Sequence, residues 1–454
     1  MQATTQAAAA DPVFPDMVEV HGVAAPAAPR SVEATGIDAS FLCDLVLKAA
    51  QRVPHCTTKW MADQVCLPIP VTEELLQQLK EDKFIEMLGT DGPFNNRYAI
   101  TNRGHERTQR MQVICGYAGP APVSLDAYAA MIHYHHSHMP EVSLGDVQAA
   151  LASLVLPEED VLTAALAVMS HRSLFLFGPS GNGKTSMAYL LHEVFHGEVW
   201  MPHALAVGNH VIRVFDAQAH HVSDFRPAQP WKIDQRWVRI RRPLIVAGGE
   251  MTMDTLELSY SAAQGIYEAP LHLKSNCGTF VIDDFGRQRA DPTAILNRWI
   301  IPLEHGYDFL LFQTGLKIKV PFQQMLIVST NLEPDKVTDP AFLRRMGYRL
   351  QMATPTPERY QQIFRQYAAR WGAEVPPGLM EWLFERYRAE GRELRGCEPR
   401  DLIGRVRDVC QLRSQPMQLD REVLEIAWAS YFGTKRSGTA SPNGSGNGAR
   451  HLAP

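Results

Sequence analysis

The sequence predicts an α/β protein: a parallel β-sheet sandwiched by helices, closed by a C-terminal helical lid and preceded by a small domain of helices and a hairpin. Three observations predict it. An apolar run, Leu174 to Phe177, leads directly into the glycine-rich segment GPSGNGKTS and then into a helical pattern, Met187 to Val194. A second apolar run, Thr279 to Ile282, ends in the acidic pair Asp283 and Asp284. After Arg349, four segments with helical spacing succeed one another.

At 454 residues the chain exceeds one ordinary hydrophobic core, so two or three domains are expected. Apolar residues make up 45% and charged residues 20%, a soluble globular profile rather than a disordered or membrane one. A net charge of −5 excludes a protein built as a whole to coat nucleic acid or an anionic membrane, so any basic site is local. The seven cysteines are odd in number and form no C-x-x-C pair, which favours reduced thiols. The start, MQATTQAAAADP, lacks a basic stretch followed by an apolar one, and the longest apolar runs are strand-length. A cytoplasmic protein without membrane insertion is the expectation.

Residues 1–37, rich in Ala and Pro without period, and residues 433–454, rich in Gly, Ser and Asn, are expected to be disordered tails. Residues 38–118 carry three short helical patterns and a hairpin. Phe41, Leu42, Leu45 and Val46 line one face of the first helix, Thr58 to Val65 make the second, and Leu75, Leu76 and Leu79 face inward on the third. Phe84 to Leu88 and Arg97 to Thr101 then read as strands about the turn-rich tip TDGPFNN. This order resembles a winged helix. The resemblance implies nucleic-acid binding or protein docking, and the residues lean to docking: the third helix exposes Glu73, Glu74 and Glu81, which repel phosphate. Arg97, Arg103, Arg107 and Arg110 still form a candidate basic patch. Residues 119–170 are a helical lead-in, in which the tract His133, His135, His136 and His138 reads as a helix with polar histidines rather than a metal site.

The segment GPSGNGKTS is a G-x-x-x-x-G-K-[ST] loop between a strand and a helix, the setting such a loop requires. Gly178, Gly181 and Gly183 let backbone N–H groups turn inward around phosphates where a Cβ would obstruct. Pro179, Ser180, Asn182 and Ser186 complete the loop. Lys184 is placed to reach the β- and γ-phosphates of ATP, and Thr185 to offer its hydroxyl to Mg²⁺ at a helix N-terminus. Asp283 suits the magnesium side of the site. Asp284 stands where a general base for the attacking water belongs, one methylene shorter than a Glu there.

The order GPSGNGKT, FVIDDFG, LIVSTN, AFLRRM and GCEPRDL, covering Leu144 to Phe432, resembles the AAA+ ATPases. That resemblance implies a P-loop NTPase core over residues 171–352 and a helical lid over 353–432. It implies that Asn331 positions water as a first sensor. It implies an arginine finger, either Arg344 or Arg345, acting across subunits, and a second sensor at Arg400. The stretch Pro302 to Val320 alternates as a hairpin around Gln313 to Gly315 and resembles the pre-sensor hairpin of MoxR-type ATPases. Residues 217–262 match no standard element of the family and read as a substrate-engaging insertion; Tyr260 within it and Tyr267 just beyond it face either a central pore or the core.

ATPase activity, ATP and Mg²⁺ as cofactors, and a homo-oligomeric ring, a hexamer, working on a protein client are thus expected. An ATP-switched DNA-binding regulator or loader, and a nucleotide-binding scaffold with negligible hydrolysis, are the alternatives.

Overall fold

The computed structural model of the protein describes residues 15–93, 95–334 and 340–433, so of the tails expected over 1–37 and 433–454 the parts 1–14 and 434–454 lie outside the described residues. Two compact units divide the chain, Met1–Ala353 and Thr354–Pro454.

Regular structure begins earlier than expected. Strands β1 (Met17–Val20) and β2 (Val23–Pro26) pair antiparallel, with Val20 opposite Val23 across the two-residue turn His21-Gly22. Both turn residues have positive φ, 52° and 74°, the backbone that a two-residue hairpin demands. The alanine-rich composition hid this hairpin. It is held because Trp200 donates its indole N–H to Ala24 O at 3.0 Å while Val20 and Ala25 are buried.

Helices α1 (Ala39–Ala50), α2 (Thr58–Val65) and α3 (Ile69–Glu81) come next, with the short strand β3 (Cys56–Thr57) between the first two. Strands β4 (Ile85–Thr90) and β5 (Asn96–Ile100) complete a three-stranded sheet of order β3-β5-β4, and α4 (Asn102–Ile114) leaves it. Asp38 and Thr57 cap α1 and α2 by accepting backbone N–H bonds, which explains where both helices start. Leu42, Leu45, Val46, Leu75, Leu76 and Leu79 are all buried in one cluster. That cluster continues into Ala204, Val211 and Ile266, so the region shares its core with the sheet beyond it instead of ending at residue 118.

The lead-in contains β6 (Val123–Ser124), α5 (Leu125–Ser137), α6 (Leu144–Leu151) and α7 (Glu158–Met169). On α5, His135 turns inward and accepts the backbone N–H of Trp200 at 2.8 Å. Among the described residues no group of three or more His, Cys, Asp or Glu is able to hold a metal ion.

The next region starts with β7 (Leu174–Phe177), α8 (Lys184–Glu193), β8 (Glu198–Pro202), β9 (Ala204–Val207), β10 (His210–Arg213), β11 (Trp237–Arg241) and β12 (Leu244–Ala247). Then come β13 (Ser259–Ser261), β14 (Ile266–Glu268), α9 (Leu271–Lys274), β15 (Thr279–Ile282) and α10 (Pro292–His305). Last are β16 (Tyr307–Leu311), β17 (Lys317–Pro321), β18 (Met325–Thr330) and β19 (Tyr348–Gln351). Five of these strands form one parallel sheet of order β12-β15-β18-β7-β19. It is the α/β P-loop NTPase fold. Its strands read as continuous apolar runs because both faces are covered, with Phe175, Phe280 and Val328 on one side and Leu174, Leu176 and Val281 on the other.

Two sequence readings change here. The stretch 217–262 is not all insertion: Leu244–Ala247 is the edge strand β12, paired in parallel with β15. Its four apolar residues are too short a run to separate from a buried helix by period alone. The hairpin segment expected from Pro302 also begins in a helix, because α10 continues to His305 and stops at Gly306, whose φ of 68° is the left-handed cap.

The hairpin β16–β17 lies with its inner face against a second sheet of order β13-β14-β10-β9-β6. Phe312 stacks on His210 and meets the edge of Tyr267, with ring centroids 5.0 and 4.7 Å apart. Tyr267 is 2% exposed and Tyr260 sits half-buried opposite it, so of the two pore candidates Tyr267 belongs to the core. At the hairpin base Arg298 of α10 donates to both oxygens of Asp308 and to Glu257, an ion-paired clamp on the strand that leaves that helix.

Among its described residues the second unit holds four helices, Pro357–Arg370, Leu379–Ala389, Glu398–Leu412 and Arg421–Phe432, around Tyr360, Phe364, Leu383, Tyr387, Leu402 and Trp428.

Candidate nucleotide site

The order of the central strands builds the site. β18 lies between β7 and β15, so a residue just past its C-terminal end falls between the phosphate loop after β7 and the acidic pair after β15. Asn331 occupies that position. Its side-chain oxygen accepts from Lys184 Nζ at 2.6 Å, and its amide nitrogen donates to Asp284 Oδ1 at 2.7 Å.

The loop's shape results from its glycines. Gly178, Gly181 and Gly183 have φ of 126°, 86° and 91°, all in the region that favours glycine. At Gly178 a Cβ would also stand 2.6 Å from the carbonyl oxygen of Met352, so the loop packs too closely on the end of β19 for any side chain. Asn182 donates to that same carbonyl at 3.3 Å. Gly183 caps α8, and Lys184 and Thr185 open it, which directs the unpaired N–H groups of the first helical turn toward the loop. Pro179, Ser180, Thr185 and Ser186 are exposed.

Lys184 is 5% exposed and donates to Gly178 O and Pro179 O, each at 2.9 Å, besides Asn331. Burial holds its ammonium below the usual lysine range, opposed by the charges of Asp284 and Asp283. Thr185 Oγ1 donates to Asp283, lying 3.0 and 2.9 Å from its two oxygens. A hydroxyl and a carboxylate in contact are hard oxygen donors of the kind Mg²⁺ takes, one or two from protein with the rest from water and phosphate. The donor chemistry therefore fits the ion, with Thr185 and Asp283 as the residues that would hold it.

Three further residues support the loop and this pair, none singled out from the sequence. Ser329 donates its hydroxyl to Asp283 Oδ1. Gln288 bridges the turn after β15, accepting from Gly286 N at 2.8 Å and donating to Asp283 O at 2.9 Å. Met352 supplies the carbonyl described above. Ser329 was the legible one, being two residues before Asn331 in the run STN. Asp284 has φ of 49°, left-handed backbone that Asp and Asn adopt more readily than Glu. That conformation is a physical reason for Asp at this position.

The remaining expected site residues are Arg344, Arg345 and Arg400. Arg344 and Arg345 come after the helical turn Pro340–Leu343 and precede β19, and Arg345 pairs with Glu304 of α10 at 3.0 Å. The site-forming strand ends do not gather them with Lys184. Arg400 belongs to the second unit, where it pairs with Asp401 at 2.9 Å.

Residues 356–430, within the second unit, match a family model described as a domain of unknown function, DUF8689. No curated protein matches the chain. Among solved structures, the Holliday junction branch migration motor RuvB of Thermotoga maritima is similar at 14% identity over 64% of this chain and 72% of that one, with a TM-score of 0.34. NtrX of Brucella abortus in complex with ATP is similar at 12% identity over 60% of this chain and 58% of that one, with a TM-score of 0.37. At such scores the geometry of the site, and not the likeness, carries the functional argument.

Proposed function

We propose that this protein binds ATP with Mg²⁺ on the loop Gly178 to Ser186 and hydrolyses it. The observation that carries the reading is the side-chain chain Lys184–Asn331–Asp284, which runs beside the Thr185–Asp283 pair. A lysine for the β- and γ-phosphates, an amide and a carboxylate for the attacking water, and an oxygen pair for the metal stand at three neighbouring strand ends. Phosphoryl transfer asks for such positioning and charge, with little covalent chemistry from the protein.

In this reading Asp284 is the general base and Asn331 the residue that aims it. The chain works as an AAA+ ATPase of the pre-sensor hairpin group, in a homo-oligomeric ring such as a hexamer, and turns hydrolysis into remodelling of a protein client. Arg344 or Arg345 acts on the nucleotide of a neighbouring subunit, and Arg400 of the lid on its own. The hairpin β16–β17, lying between α10 and β18, supports the group assignment. The region of α1 to α4 is a winged helix that docks protein. Its order of helix, strand, two helices and hairpin supports the first half of that statement. The acidic outer face of α3 supports the second, as does the engagement of Arg107 with Asp44 at 2.7 Å.

The test is phosphate release by wild type, Asp284→Asn and Arg344→Ala or Arg345→Ala, each alone and mixed. Turnover that rises with assembly and is partly restored by mixing an arginine variant with Asp284→Asn supports the ring. Turnover independent of concentration, with no rescue, contradicts it.

A further inference from the structure

The last two residues of β18 and the residue after it grip the acidic turn side chain by side chain. Ser329 donates its hydroxyl to Asp283 Oδ1, Thr330 donates its own to Phe285 O at 2.7 Å, and Asn331 donates to Asp284 Oδ1 at 2.7 Å. The backbone adds a fourth bond, from Phe285 N to Ser329 O at 2.7 Å. Ser329 and Thr330 are buried, 1% and 0% exposed, so both hydroxyls are fixed by the sheet that carries them.

This grip makes the two oxygens of Asp283 unlike. Oδ1 accepts from the Ser329 hydroxyl and from Asp284 N at 3.1 Å, and shares the Thr185 hydroxyl at 3.0 Å. Oδ2 has only that Thr185 hydroxyl, at 2.9 Å, among the described residues. A carboxylate oxygen offers about two lone-pair sites, so Ser329 and Asp284 N alone fill Oδ1. Oδ2 is the oxygen left to work beside Thr185.

We propose that Ser329 is a positioning residue that gives the metal side of this site its preference for Mg²⁺ over Ca²⁺. The inference rests on the ATP and Mg²⁺ reading above and deepens it. The two ions differ in what they ask of a carboxylate. Mg²⁺ is small, demands octahedral order and keeps much of its water, whereas Ca²⁺ takes a larger and looser shell in which a carboxylate binds through one oxygen or both. With Oδ1 occupied by Ser329, Asp283 offers a single oxygen, which suits Mg²⁺. Without that hydroxyl the carboxylate is free to present both, which suits Ca²⁺.

The experiment is equilibrium binding of ATP to the full chain in Mg²⁺, in Ca²⁺ and without a divalent ion, for wild type, Ser329→Ala and Thr330→Val. Wild type is expected to bind ATP more tightly in Mg²⁺ than in Ca²⁺. Ser329→Ala is expected to narrow that ratio about tenfold, the loss of one hydrogen bond to a charged group, and to keep the wild-type affinity without a divalent ion. Thr330→Val is the control for structure alone: it removes a buried hydroxyl that holds the same turn without touching either acid. It is expected to unfold at lower urea and to keep the wild-type ratio. A ratio unchanged in Ser329→Ala, an equal narrowing in Thr330→Val, or no preference for Mg²⁺ in wild type overturns the inference and leaves ATP binding standing. Absence of ATP binding by wild type overturns both.

Discussion

Asn331 donates its side-chain N–H to the Asp284 carboxylate at 2.7 Å while its own oxygen accepts from Lys184, so one amide holds both the cation and the acid of the site. Removing it leaves the loop lysine in place but frees the carboxylate to turn. Asn331→Ala is therefore expected to keep ATP binding within a few-fold and to lower turnover about 10²-fold, as the loss of one preorganised polar group does. Equilibrium binding and phosphate release, measured on the same preparation, check the split.

The left-handed backbone at Asp284 separates two substitutions that look alike in sequence. Asn tolerates that backbone, so Asp284→Asn is expected to unfold at the same denaturant concentration as wild type while losing turnover by about 10² to 10⁴. Asp284→Glu restores the longer acid and places it on strained backbone. It is expected to cost about 1 kcal/mol of stability. Denaturant melts of both variants beside phosphate release test this pairing.

Gly178 is expected to reject alanine. Its φ of 126° and the Met352 carbonyl 2.6 Å from the position of a Cβ leave no room without moving the end of β19. Gly178→Ala should cost about 2 kcal/mol or more and weaken nucleotide binding together with stability, read from a urea melt and a binding titration. Gly315, at the hairpin tip with nothing near it, is the control in which the steric part of that cost is absent.

His135 gives a pH dependence with a definite sign. Burial, with Arg242 and other cations nearby, pushes its pKa down to about 3, while the unfolded side chain titrates near 6.5. Between those values the unfolded chain holds a proton that the folded chain does not. The His135 contribution to stability is thus present above pH 6.5 and falls as pH drops toward 3, by about 1.4 kcal/mol per pH unit at most. His135→Gln, which still accepts the Trp200 N–H, should flatten the stability profile between pH 7 and 5 relative to wild type. An unchanged slope in urea melts would contradict a neutral buried ring.

Much of this arrangement was legible in the sequence because it is local. The strand before the loop, the glycines, Lys184, Thr185 and the acidic pair each come from a short run whose chemistry fixes its geometry. The capped helices α1 and α2 were legible for the same reason. The hidden parts depended on distant partners. The hairpin at Met17 needed Trp200 to hold it, and β12 needed β15 beside it to differ from any apolar tetrapeptide. Tyr267 could be placed only once Phe312 and His210 were known to cover it. The conformation of Asp284, which distinguishes it from a shortened glutamate, is a property of backbone that composition does not record.

The most direct measurement is equilibrium binding of ATP, with and without Mg²⁺, to wild type and Lys184→Ala. Mg²⁺-strengthened binding by wild type and a loss of about 100-fold or more in the variant are expected, in keeping with a buried lysine whose charge-assisted bonds to phosphate are removed. Tight ATP binding by Lys184→Ala would contradict it.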